Sequence, residues 1–316
     1  MKKILVTAGG TATAWHICNV VKQHFKDKIG VIITDINEPK KVPCVLLAEK
    51  VVQVPYSNDP TYIDVIDSII KEEQINAIIP LIPQEALLFH PEAEIIKSNS
   101  IFTTIPPLKT VEMLADKKAL YSFLLEEDIP TPTLFNIEDV DDEKKYIIKP
   151  RFGFGSIGVE TLKGVELRKR GESLNSFVIQ EYCKAEDYDE VTVEIYNYLD
   201  RLEMFARRRE DVKSGVCTKM QPYITKHFEN YIRRVVESIE CPIAFNVQFL
   251  RDDGVWKLFD FNLRLPAGTA LSTAAGFQLT RSLLSTLIGD PLKDDFFCVD
   301  GSVRYVLRTY QELVVR

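Results

Sequence analysis

The feature that most constrains the fold is a change of rhythm partway along the chain. In the first third, short apolar runs alternate with stretches at helical spacing. Lys3 to Thr7 and Ile29 to Thr34 read as strands, with a helical pattern from Ala14 to Phe25 between them. Val51 to Val54, Ala77 to Pro80 and Ile101 to Thr104 read as further strands, and Ile63, Ile66, Ile69 and Ile70 fall on one helical face. Strand, helix, strand at this spacing predicts a parallel sheet covered by helices. From Val191 the pattern becomes long alternating strands, at 191–198, 202–209, 245–250 and 255–261, with a helix near 226–239 between the pairs. That half predicts a mixed, mainly antiparallel sheet with helices.

The segment between the two textures carries a helix over 110–127, where Met113, Leu114, Lys117, Tyr121, Leu124 and Leu125 recur at helical spacing. Ile129-Pro130-Thr131-Pro132 breaks it. A strand at 146–149, a glycine-rich run at 151–158 and a strand at 177–180 follow. No internal repeat or low-complexity linker interrupts the sequence.

At 316 residues the chain is long enough for about two domains at about 150 residues each. Asp and Glu outnumber Lys and Arg by 46 to 39, a net charge of −7, so the basic face that nucleic acids require is missing. Cys18, Cys44, Cys183, Cys217, Cys241 and Cys298 include no CxxC pair and read as reduced thiols. His16, His24, His90 and His227 form no metal-binding pattern and read as packing or surface residues. The apolar run after Met1-Lys2-Lys3 stops at Thr7, too short for a signal peptide, and no stretch approaches the ~20 apolar residues of a membrane span. The expectation is a cytoplasmic protein without nucleic-acid or membrane partners.

Two glycine signals carry chemistry. Gly9-Gly10-Thr11 lies between a strand and a helix, where backbone N–H groups can hold an anion. A dinucleotide fingerprint would place glycines where Thr11 and Ala14 stand, although Asp35 ends the second strand suitably. The second run, Lys149-Pro150-Arg151-Phe152-Gly153-Phe154-Gly155-Ser156-Ile157-Gly158, follows a strand ending in lysine. It suits a flap over phosphates, because glycine lets the backbone approach closely and lysine adds charge. A glycine-rich hairpin with no ligand would look the same.

Order along the chain adds weight. Lys117 follows Asp116 on the preceding helix, Gln180-Glu181-Tyr182 ends one strand, and Glu190 opens the next. Gln248 lies on a strand joined through Asp252-Asp253-Gly254 to a second that carries Asp260, Asn262 and Arg264. In an antiparallel pair Gln248 would approach Asp260 and Asn262, whose alternate positions share a face. Such oxygen ligands suit Mg²⁺ shared with nucleotide phosphates, and Arg264 can pair with phosphate.

This ordered set resembles the ATP-grasp superfamily, in the type seen in the large subunit of carbamoyl phosphate synthase. The resemblance implies an α/β and α+β architecture. A Rossmann-like pre-ATP-grasp domain would span 1–109, a linker helix and lid subdomain 110–183, and a C-terminal ATP-grasp subdomain with the metal site 184–316. It implies ATP with Mg²⁺, or Mn²⁺ as a substitute. Lys117 and Lys149 match the phosphate-binding lysines, and Gly153, Gly155, Ser156 and Gly158 the lid loop. Gln180, Glu181 and Tyr182 fall at the adenine hinge, and Glu190 matches the ribose-binding glutamate. Gln248, Asp260 and Asn262 look like metal ligands and Arg264 like the phosphate-side arginine, so Lys149 and Arg264 would be catalytic.

Asp260 stands where the family has Glu, and Asn262-Leu263-Arg264 replaces Asn-Pro-Arg. The implied reaction joins a small-molecule carboxylate to an amine through an acyl phosphate, releasing ADP and phosphate. Arg207 and Arg209 share a strand face and could bind a substrate carboxylate, and Thr269 to Gly276 resembles the helix start that lines the substrate pocket in relatives. A homodimer is common in such proteins. Three other readings stay open at this point: a small-acid kinase of the carbamate type, an NAD-dependent dehydrogenase using the turn at Gly9, and an ATP-binding protein without turnover.

Overall fold

The computed structural model describes residues 1–153, 158–174, 176–183, 190–213, 216–309 and 311–315. Gly155 and Ser156 lie outside the described residues.

The chain opens with β1 (Lys2–Val6), α1 (Ala12–His24), β2 (Ile29–Asp35), β3 (Lys50–Gln53), α2 (Tyr62–Glu73), β4 (Ala77–Ile79), α3 (Glu94–Asn99) and β5 (Phe102–Thr103). The five strands form a parallel sheet in the order β3-β2-β1-β4-β5. Successive side chains point to opposite faces, so Ile4, Val6, Val31 and Ile33 pack with α1 while Leu5, Ile32 and Ile78 pack with α2 and α3. Every residue of β2 is buried, which is why it reads as an unbroken apolar run.

The single helix expected over 110–127 is two helices, α4 (Leu108–Ala115) and α5 (Lys117–Glu126), broken at Asp116. Asp116 adopts extended backbone (φ −87°, ψ 106°), and its carboxylate accepts from the Lys118 amide at 3.0 Å, capping α5. The same carboxylate takes two bonds from Arg151, at 2.7 and 2.5 Å. A capping carboxylate fixed by arginine favours this break over a continuous helix.

Next come β6 (Leu134–Phe135), β7 (Lys145–Pro150), β8 (Glu160–Lys163), α6 (Gly164–Arg170) and β9 (Phe177–Glu181). They form a small antiparallel sheet, β6-β9-β7-β8, closed over Tyr146, Ile148, Leu167 and Ile179. The last part contains β10 (Glu190–Tyr198), β11 (Arg201–Lys213), β12 (Val216–Pro222), α7 (Glu229–Ser238), β13 (Ala244–Asp252), β14 (Val255–Asn262), α8 (Thr269–Ala274), α9 (Leu279–Ile288) and β15 (Val306–Leu307). Its sheet, β14-β13-β10-β11-β12-β15, pairs antiparallel throughout the described ladders, where a mixed sheet was expected. β10–β11, β11–β12 and β13–β14 follow one another with no intervening helix, so their antiparallel pairing follows from the connections. β12 was not anticipated. Its outward Thr218 and Lys219 mask the inward Cys217 and Met220.

Alternation divides this large sheet into two faces. Val191, Val193, Ile195, Phe245, Val247, Phe249 and Phe261 point one way and pack with α5 and α7. The opposite face changes character along its length. Tyr196, Phe205, Ala244 and Met220 join α1, α8 and α9 in a core continuous with the first sheet. Further along the same strands and beside them stand Glu190, Thr192, Glu194, Arg207, Arg209, Asn246, Gln248, Asp260 and Asn262. This polar end is the candidate site.

Candidate active site

The β13–β14 hairpin fixes the first group of residues. Its two-residue turn, Asp253-Gly254, has positive φ at both positions, the turn that matches strand twist. The register sets Gln248 opposite Asp260 and Asn246 opposite Asn262. Asn262 Nδ2 donates to Asp260 Oδ2 at 2.9 Å. With its amide oriented to satisfy both ends, Gln248 donates to the same oxygen at 3.0 Å and accepts from Arg209 Nη1 at 2.9 Å. Arg209 also donates to Glu190 across the β10–β11 ladder. One chain of hydrogen bonds thus runs from Asn262 through Asp260, Gln248 and Arg209 to Glu190.

Lys149, at the end of β7, is buried. Its Nζ donates to the Tyr121 hydroxyl at 2.8 Å, which lies 3.0 Å from both Gln180 Oε1 and the Phe259 carbonyl. Burial pushes the Lys149 pKa down from 10.5 to about 8, with Asp260 opposing the shift and Lys117 adding to it. Lys117, the first residue of α5, donates to the Gly153 carbonyl at 2.8 Å, tying that helix to the start of the glycine-rich run. Burial lowers its pKa and Asp260 raises it; the same pair of effects acts on Arg264. Asp260 is therefore the anion felt by all three cations. Such an excess of buried positive charge suits a polyphosphate.

Gly158, at the far end of the glycine-rich run, has φ +73°, and a Cβ there would come within 3.0 Å of the Pro150 ring. Glu181, at the end of β9, accepts from the Thr133 amide at 3.1 Å and from Lys257 at 2.9 Å, while Lys257 also reaches Asp252 at 2.8 Å. Glu181, Cys183 and Asp252 converge closely enough to suggest a metal group, but Lys257 already pairs with both carboxylates. Tyr182 is exposed, with Lys145 5.8 Å from its ring centre.

Arg207 and Arg209 share a face as expected, yet their surroundings differ. Arg207 is almost wholly buried and pairs at 3.1 Å with Glu194, which is fully buried. A Cβ on Gly268 would collide with the Arg207 guanidinium, so the chain passes directly over it. On the first domain's turn, the Gly10 amide donates to Asp35 Oδ2 at 2.7 Å, and Thr11 caps α1. That turn is closed by its own carboxylate, which a dinucleotide phosphate would meet head-on. Thr273 of α8 lies 3.2 Å from His16 Nε2, at the junction of the first domain and the large sheet. Burial, then Arg308, lowers the His16 pKa to about 4, so this imidazole is neutral.

Two family models match the chain: a PylC-like N-terminal domain over residues 4–103 and an ATP-grasp domain over residues 114–268. The chain carries an ATP-grasp domain. That domain places it among enzymes that use ATP and Mg²⁺ as ADP-forming C–N ligases. No curated protein matches the sequence. Solved structures share the fold at low identity. The biotin carboxylase domain of Hydrogenobacter thermophilus 2-oxoglutarate carboxylase superposes with a TM-score of 0.77 at 14% identity, over 96% of this chain and 73% of that one. N5-carboxyaminoimidazole synthetase from Staphylococcus aureus gives 0.71 at 15%, over 92% and 78%. L-amino acid ligase from Bacillus licheniformis gives 0.70 at 15%, over 94% and 76%. Among the described residues no helix is long and apolar enough to cross a membrane.

The ATP-grasp domain brings Lys117, Lys149, Gln180, Gln248, Asp260, Asn262 and Arg264 into one linked group, with Glu190 and Arg209 at its edge. Sequence reasoning missed Tyr121, Arg151 and Lys257. Tyr121 was legible as a core position of a helix but not as the hydroxyl that seats Lys149.

Proposed function

We propose that this chain is a carboxylate–amine ligase working through an acyl phosphate, with residues 1–109, 110–183 and 184–316 as its three units. The observation that carries the reading is the convergence of Lys117, Lys149 and Arg264 on one carboxylate, Asp260, beside the amide side chains of Asn262 and Gln248. Hard oxygens of this kind fit Mg²⁺. Asp260 and Asn262 would hold the ion, which would neutralise phosphate charge.

This chain's residues supply the remainder. Lys149, held by Tyr121, and Lys117, held at Gly153, flank the phosphates and offset the charge that moves during transfer. Gly153 and Gly158 frame the glycine-rich run proposed as the lid over them. Gln180, Glu181 and Tyr182 line the adenine end, and Glu190, oriented by Arg209, meets the ribose. Arg264 sits on the phosphate side. A substrate carboxylate enters near Arg209 and the start of α8, with Arg207 holding the sheet beneath, and positioning brings it in line with the γ-phosphate. The resemblance to an L-amino acid ligase makes amino acids the first substrates to try. A homodimer is proposed by analogy with the biotin carboxylase domain dimer and is read by sedimentation.

The test pairs binding with turnover. Mg·ATP is expected to raise the Tm and NADH to leave it unchanged, because a ligand that binds the folded state stabilises it. ADP release should then appear with particular pairs from an amino-acid panel. A shift with NADH and none with ATP would overturn the reading.

A further inference from the structure

We propose that Tyr121 is a positioning residue whose hydroxyl ties an extra residue of β14 to the Lys149 ammonium, fixing the spacing between the metal-side carboxylate Asp260 and the phosphate-side lysine. The proposal rests on the nucleotide reading above and deepens it.

It begins with the register of β14. Leu258 stands opposite Phe249 and Asp260 opposite Gln248, so Phe259 is an extra residue with no partner on β13. In a strand that alternated without it, Asp260 would share the face of Leu258 and point into the core with Trp256. With it, Leu258 and Phe261 both stay in the core, and Asp260 turns to the polar face beside Asn262. The bulge therefore sets the face on which the carboxylate stands. Its carbonyl, that of Phe259, accepts from the Tyr121 hydroxyl at 3.0 Å.

The same hydroxyl accepts from Lys149 Nζ at 2.8 Å. A backbone carbonyl can only accept, so the direction of the link is fixed: Lys149 donates to Tyr121, and Tyr121 donates onward. Gln180 Oε1, also at 3.0 Å, is its second acceptor. Burial, then Asp260, pushes the Tyr121 pKa well above 10, so the hydroxyl keeps its proton and takes no part in proton transfer. Lys149 makes no ion pair among the described residues. Its other neighbours are the rings of Tyr121 and Phe259, with centres 5.4 and 5.9 Å from Nζ. Ring faces attract a cation without aiming its N–H groups, so the bond to Tyr121 supplies the aim. Two N–H groups are left for phosphate. The small sheet, which brings Lys149, and the large sheet, which brings Asp260, thus meet at one oxygen.

Tyr121→Phe keeps the ring and its packing and removes only that oxygen. The experiment measures calorimetrically the affinity of the full chain for the non-hydrolysable analogue AMPPNP, once in EDTA and once in saturating Mn²⁺. The EDTA value reads the lysine, and the gain on adding Mn²⁺ reads the carboxylate. In Y121F the EDTA affinity should fall about 10-fold and the gain from Mn²⁺ should shrink about 3- to 10-fold. In a K149M background Y121F should leave the EDTA affinity at the K149M value, because that bond is already gone, and still shrink the gain. V235A, which loosens the same core from α7, should lower the Tm and change neither quantity. Both quantities unchanged in Y121F, or one changed without the other, would overturn the proposal. So would a further EDTA loss in the double variant, or equal losses in V235A. A wild-type chain that binds AMPPNP under neither condition overturns the nucleotide reading itself, and this proposal falls with it.

Discussion

Lys149 shows how one buried side chain sets a pH dependence. Its charged form is the one that binds phosphate, and burial brings its pKa to about 8 in the nucleotide-free protein. As pH rises through that value the ammonium loses its proton, so ATP affinity should fall, approaching about tenfold per pH unit. Calorimetry between pH 7 and 9.5 checks this and should also detect proton uptake on binding. The stability effect has a definite sign. The unfolded chain holds this proton up to about pH 10.5, so the buried charge costs stability below pH 8, and the cost is relieved as pH rises from 8 toward 10.5. Lys149→Met should therefore leave the Tm at pH 7 unchanged or higher while lowering kcat by about 10²–10³-fold. A Tm scan beside an ADP-release assay reads both.

At the scale of elements, the break between α4 and α5 places Lys117 at the first turn of a helix beside the glycine-rich run. Asp116→Ala removes the cap and both Arg151 bonds, and should cost about 1 kcal/mol, a Tm loss on the order of 2–4 °C, with a raised KM for ATP. Thermal melts and ATP-dependent kinetics check it. This break was invisible in the sequence because Met113, Leu114, Tyr121 and Leu124 keep helical spacing on both sides of it. The parallel sheet was legible because its strands are continuous apolar runs, whereas the Asp253-Gly254 turn alone would set Gln248 opposite Phe259, and a one-residue shift between Gln248 and Phe249 brings Asp260 there. Arg207 and Arg209 were placed on one face correctly, but period-2 reasoning does not see across strands. The partners Glu194 and Glu190, which decide what each arginine can do, stand on β10. Tyr121 and Lys257 escaped for a similar reason: their roles come from Lys149 and Glu181, which arrive from another sheet.

Across the whole molecule, one core joins the first domain to the large sheet. Ile4, Val6 and the buried face of α1 share it with Tyr196, Phe205, Met220, Leu283 and Leu284. The domain carrying His16 is thus packed against the sheet that carries the candidate site. A fragment of residues 1–109 would expose the side of α1 that meets α8 and α9, where His16 lies against Thr273, and should bind the dye ANS and melt below the full chain. Fluorescence and calorimetry of the two would show it. The measurement that tests the central claim most directly follows oxygen. Amino acids labelled with ¹⁸O in the carboxyl group are supplied with Mg·ATP and an unlabelled amine, and the phosphate released is examined by mass spectrometry. The substrate oxygen attacks the γ-phosphorus and leaves with phosphate when the amine arrives, so one ¹⁸O per phosphate is the predicted result. Unlabelled phosphate with both labels retained on the acid, or AMP and pyrophosphate as products, would contradict it.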